Sequence, residues 1–177
     1  DFFGIALGVV AGLVMLADWL GSDRQVFPFA DDLSDRVEFA RSQAAKALAQ
    51  IGLDTHASRA SLGPEAPGFG AVSGYTPRAA QTATLELPTE PNGTLTVLES
   101  ETGSGKTEAA LVRFARMFHA GLVDGMTFAL PTRTAATQLH GRIRAAIRRA
   151  FPDEAVRPPV VLAVPGYLQA GTIAALT

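Results

Sequence analysis

The six residues Thr102, Gly103, Ser104, Gly105, Lys106 and Thr107 constrain this chain more than any other stretch. They stand between a β-rich run, Thr94 to Leu98, and a segment from Glu108 to Ala120 with Leu111, Ala115 and Phe118 along one helical side. Strand, glycine loop and helix in that order is the local context of a phosphate-binding loop. Each residue type has its own reason to be there. Gly103 and Gly105 let the backbone curl, so that successive N–H groups and the helix N-terminus face an anion. Lys106 supplies a cation to the β/γ-phosphates, and Thr107 offers a hydroxyl to Mg²⁺. The full spacing G-x-x-x-x-G-K-[ST] would put Gly at position 100, where Ser100 stands. The alternative is a chance Gly/Ser surface turn, which the bracketing elements disfavour. The expectation is a nucleoside triphosphate site, with Thr102 to Thr107 around the phosphates and Lys106 and Thr107 as its catalytic pair.

Composition narrows the classes around that loop. The 177 residues carry 15 Lys+Arg against 17 Asp+Glu, so any nucleic-acid contact must come from a local patch. A hydrophobic share of 47% excludes a disordered tail. The absence of Cys excludes disulfides, thiolate zinc sites and a Cys nucleophile. The chain opens on Asp1 and not Met, which raises the expectation of a processed chain or a fragment.

Phe2 to Ala17 is free of charge, and Asp18 closes it. The run suits a membrane span slightly short of the usual ~20 residues, or a buried helix. A signal sequence fits poorly, for want of a basic start and an A-x-A site. Gly4, Gly8 and Gly12 give a small face for close helix packing. Asp18 itself reads as a cap, a metal ligand or part of a solvated turn. Ser34 to Ile51 predicts a helix with Ser34 as N-cap and Gly52 as stop. Residues 54–91 are rich in Gly and Pro and read as a linker, giving segments 1–53, 54–91 and 92–177.

Beyond the loop, Met126 to Leu130 predicts a second strand, followed by Pro131, Thr132 and Arg133. A helix from about Thr134 to Ala150 then places Leu139, Ile143 and Ile147 on one face. Arg142, Arg144, Arg148 and Arg149 lie elsewhere on it, and a solvated face is the preferred reading over DNA contact. Pro158 to Val164 predicts a third, apolar strand of parallel-sheet type.

The relaxed T-G-S-G-K-T loop resembles that of superfamily 2 helicases. Tyr75 to Gln81, Y-T-P-R-A-A-Q, resembles their glutamine motif, which implies that the Gln81 amide reads adenine. The P-T-R segment resembles one on their nucleic-acid face, which implies phosphate contacts by Thr132 and Arg133. Residues 12–23, G-L-V-M-L-A-D-W-L-G-S-D, with Phe27-Pro28-Phe29, resemble the end of an HD nuclease domain. The order of the two halves is similar to that of the HD-nuclease/helicase of type I CRISPR interference systems.

That resemblance implies a mixed fold: the α-helical tail of an HD domain, then the first part of an α/β RecA-like P-loop domain with a parallel sheet. It implies ATP and Mg²⁺ at the loop, and Asp18 as the last ligand of a divalent metal pair. It further implies 3′-to-5′ movement on single-stranded DNA, nuclease action, recruitment by a crRNA-guided surveillance complex, a cytoplasmic location and no membrane. The chain departs from the family in having no His before Asp18 and no D-E-x-H box after the loop. Gly171-Thr172-Ile173 matches a G-T-I-D-Q segment until Ala174 and Ala175. The expectation is therefore a stretch inactive on its own, binding ATP without hydrolysing it. Another superfamily 2 helicase, a membrane-anchored P-loop ATPase and a decayed gene product stay open as alternatives.

Overall fold

A computed structural model describes residues 2–29, 35–90 and 93–170. Ser34 and the segment from Gly171 to Ala175 lie outside them. The chain divides into two compact units, 1–54 and 55–177.

The first unit holds helices α1 (Phe2–Ser22) and α2 (Arg36–Gln50). Leu7, Leu13 and Trp19 of α1 are exposed. Among the described residues, no helix is long and apolar enough to cross a membrane. The cap of α2 is Asp35, whose carboxylate accepts the Glu38 N–H at 3.0 Å, and so stands one residue beyond the expected Ser34. Gly52 ends the helix as the sequence predicts. Its N–H reaches the Ala49 carbonyl, and the Leu53 N–H reaches back to Leu48.

The second unit is built round one helix. Its helices are α3 (His56–Ala60), α4 (Phe69–Ser73), α5 (Ala79–Glu86), α6 (Lys106–His119) and α7 (Arg133–Ala150). Helix α6 touches α3, α4, α5 and α7. The reason is its apolar stripe: Ala109, Val112, Ala115 and Phe118 recur every three residues, and all are buried. Leu111, Val112 and Ala115 pack with Phe69 and Val72 of α4 and Ala146 of α7. Nearer the helix end, Phe118 meets Ile147 and Phe151, with the Phe118 and Phe151 rings edge to face at 5.9 Å. Residues 54–91, read as a linker from their Gly and Pro content, thus differ in supplying three helices and part of this core.

The expected parallel sheet is absent from the described residues. Residues 94–98 and 126–130 are not strands, and the sheet is an antiparallel pair, β1 (Val161–Val164) with β2 (Tyr167–Ala170). Val161 faces Ala170 and Val164 faces Tyr167 across a tight turn at Pro165-Gly166. The third expected strand is therefore a strand, in a hairpin. A strand needs a neighbour for its backbone groups, and Leu95 at 94% and Val97 at 75% exposure have none beside them. The β-rich composition of 94–98 encodes a preference that only an adjoining strand can realise.

Arginines close several helix ends. Arg59 of α3 donates to the Phe118 carbonyl at 2.7 Å, to Val123 O at 3.3 Å and to Asp124 at 2.6 Å. Its guanidinium also lies over the Phe118 ring, 5.0 Å from the centroid.

Phe118→Ala is expected to cost about 3–5 kcal/mol, because it removes a buried ring shared by two packed clusters. Urea unfolding followed through hydrogen exchange of α6 amides checks this. The Asp124 carboxyl sits below its ordinary value, held there first by the Arg59 hydrogen bond and then by that of Thr55. A lowered folded value contributes stability that is present above the unfolded value and lost as pH falls through the folded one. Asp124→Asn is therefore expected to flatten the acid limb of the unfolding-midpoint profile below about pH 4, where the aspartate of the unfolded chain titrates.

Candidate nucleotide-binding site

Residues 99–105 form an irregular loop that enters α6 directly. Gly103 and Gly105 have φ of 79° and 88°, the left-handed region in which a Cβ is costly. Gly105 is the residue preceding the first helical turn, and no side chain caps that end. The backbone N–H groups of the first turn therefore point out along a positive helix end toward the loop.

Lys106 turns its ammonium into the loop and donates to the carbonyls of Ser100 at 2.6 Å and Glu101 at 2.9 Å. Ser100, standing where the usual spacing has Gly, pairs its hydroxyl with that of Ser104 at 2.5 Å. The loop is thus closed on itself by two hydroxyls and one ammonium. An arriving phosphate would have to replace carbonyl oxygens as the acceptor of the Lys106 protons, an exchange that favours the more anionic partner.

Gln81 lies against this loop. It is buried to 7% exposure, and its Nε2 donates to the Gly105 carbonyl at 3.0 Å while its Oε1 accepts the Arg78 N–H at 2.8 Å. The resemblance implies an adenine contact for Gln81; in the structure its amide joins the start of α5 to the residue before α6. One N–H and one lone pair of the amide are thereby engaged, leaving one N–H and the other acceptor capacity. Arg78, which the sequence does not single out as a site residue, donates from Nη1 to the Gly103 carbonyl at 3.4 Å. Its position three before Gln81 in P-R-A-A-Q is the available signal. At the other end of α5, Arg116 donates to Leu85 O, and Arg113 to Leu87 O and Pro88 O. Helix α5 is thus tied to the loop at its start and to α6 at its finish.

The structure brings together Gln81, Gly103, Ser104, Gly105 and Lys106, with Thr107 in the first turn of α6. Thr132 and Arg133 stand at the start of α7. The Thr132 hydroxyl oxygen accepts the Ala135 N–H at 3.2 Å as the helix cap, and Arg133 is exposed. Two of the four arginines read as a solvated face are tied down. Arg142 pairs with Glu108 at 2.5 Å, and Arg149 donates to Val72 O at 3.0 Å. Asp18 is exposed on α1, and no group of three metal-ligating side chains gathers among the described residues.

One curated relative is the CRISPR-associated endonuclease/helicase Cas3 of Escherichia coli (strain K12). It is 33% identical over 164 residues, covering 88% of this chain. The chain is Cas3-related. It spans 17% of the length of that Cas3 protein. No family model matches the chain, and no solved structure matches it. The match covers most of the chain.

The two left-handed glycines differ in surroundings, which separates backbone strain from packing. A Cβ on Gly103 meets open space, whereas one on Gly105 would overlap Gln81 Nε2. Gly103→Ala is expected to lower stability by about 1–2 kcal/mol, the strain of the left-handed region alone. Gly105→Ala should cost more and release Gln81 from the Gly105 carbonyl. Urea unfolding of both variants, with the Gln81 side-chain amide resonances as reporter, checks the difference.

Proposed function

We propose that this chain holds ATP with Mg²⁺ and contacts single-stranded DNA, as part of an ATP-dependent helicase and nuclease acting in CRISPR antiviral defence. The observation that carries the reading is the loop itself: two left-handed glycines, an uncapped α6 N-terminus and an inward Lys106, in a Cas3-related chain. Residues Thr102 to Thr107 hold the triphosphate, with Lys106 as its cation and Thr107 as the hydroxyl toward Mg²⁺. Gln81 presents its remaining N–H and acceptor to adenine. Thr132 and Arg133 meet the DNA backbone, where a helix N-terminus and a guanidinium both favour phosphate oxygens. Asp18 is one ligand of the nuclease metals, on the family resemblance. Bound Mg²⁺ would supply charge neutralisation between the terminal phosphates. A crRNA-guided surveillance complex is the proposed recruiting partner.

Titration of the chain with a fluorescent ATP analogue and Mg²⁺, competed by ATP and by GTP, tests this reading. Binding should be competed better by ATP than by GTP. Lys106→Ala should weaken it by at least about tenfold, since a hydrogen bond to a charged group contributes about 1.5–3 kcal/mol. Equal affinity in that variant would remove the loop from the site, and equal competition by GTP would remove Gln81 as the adenine reader.

A further inference from the structure

Glu108 follows Thr107 in the first turn of α6. An acid there is favourable toward the helix dipole but unfavourable toward any anion held by the same helix end. Its side chain is only 15% exposed. Its Oε2 lies 3.5 Å from the place that a Cβ on Gly105 would occupy, so the carboxylate forms part of the loop's wall. Its Oε1 receives Arg142 Nη2 at 2.5 Å, across from the middle of α7. The other cations at the loop are already engaged with backbone oxygens: Lys106 on Ser100 and Glu101, and Arg78 on Gly103.

We propose that Arg142 is a positioning residue of the nucleotide site, which neutralises Glu108 and holds its carboxylate against the loop so that a polyphosphate can enter beside it. The proposal rests on the reading of Gly103 to Thr107 as a triphosphate loop. Its physical content is electrostatic. Without the guanidinium, a partly desolvated carboxylate would face a ligand carrying several negative charges. Two unit charges roughly 10 Å apart, in the effective dielectric of about 20 at a protein surface, change affinity by roughly tenfold. A pair that merely ties α6 to α7 makes a different prediction, because then the carboxylate itself does no harm.

The deciding experiment is titration of the whole chain with fluorescent ATP analogue and Mg²⁺ for five variants: Arg142→Ala, Arg142→Lys, Glu108→Gln, Arg142→Ala with Glu108→Gln, and Lys106→Ala. Arg142→Ala should weaken binding about tenfold, with the loss shrinking as salt is added. The double variant should return to near the unmodified affinity, although it has no ion pair left to tie the helices. Arg142→Lys keeps the charge and should bind close to the unmodified chain, which preserves the test should Arg142→Ala fail to fold. A double variant as weak as Arg142→Ala would reduce the pair to a structural tie and overturn the proposal. So would unchanged binding in Arg142→Ala, or an Arg142→Lys variant as weak as Lys106→Ala. Failure of the loop reading is separately visible: Lys106→Ala would then bind like the unmodified chain, or the unmodified chain would not bind at all.

Discussion

Burial of one face of α6 governs the second unit of this protein, because the same helix supplies the core and the floor of the candidate site. Val112, Ala115 and Phe118 are almost fully inaccessible, and α4, α5 and α7 are arranged around them. A rigid helix of 14 residues transmits that fixation to its first turn. The loop of residues 99–105 can therefore be irregular, exposed and rich in glycine without losing its place. It hangs from an end that apolar packing holds still, and Gln81 secures it from the side through the Gly105 carbonyl.

Arginine has a consistent role here, and it is mostly internal. Arg59 bonds the Phe118 carbonyl near the end of α6, Arg116 and Arg113 bond carbonyls at the end of α5, Arg149 bonds Val72 in α4, and Arg157 bonds Phe151 and Pro152 after α7. The last carbonyls of a helix lack internal partners and carry partial negative charge, so a guanidinium with several donors suits them well. This explains how α4, only five residues long, is retained in the core. On α7 this internal role holds for Arg149 alone, while Arg142 pairs with the Glu108 carboxylate.

Sequence reading reaches the local pieces and misses what depends on distant partners. The loop, α6 and α7 are legible because each is encoded within a single window: glycines at fixed offsets, then apolar residues at helical period. The helices inside 54–91 are not legible, because Gly63, Pro64, Pro67, Gly68, Gly70 and Gly74 mask a short apolar pair, Phe69 and Val72, that gains its meaning only against α6 and α7. The strands expected at 94–98 and 126–130 are misplaced for the converse reason. Their composition is right, yet strand formation is decided by a neighbour and not by the segment itself. Gln81 stands out in the sequence for its amide. Its bond to Arg78 follows the i,i+3 spacing of a helix start, but its bond to Gly105 and the Arg142 contact with Glu108 join residues that no spacing rule connects.

The polar economy of the loop follows from these constraints. Lys106 donates to the carbonyls of Ser100 and Glu101, and the Ser100 hydroxyl meets that of Ser104. A glycine at position 100 could make no such side-chain bond. The departure from the usual spacing therefore adds a clasp at the mouth of the loop and leaves the left-handed turns at Gly103 and Gly105 intact. A ligand has to offer better acceptors than two backbone carbonyls to take the Lys106 ammonium from them, and phosphate oxygens do so because they carry full charge. The loop's polar groups are in this way satisfied within the loop itself, by one serine pair and one lysine, and under the proposed function a phosphate would have to displace the carbonyls from Lys106.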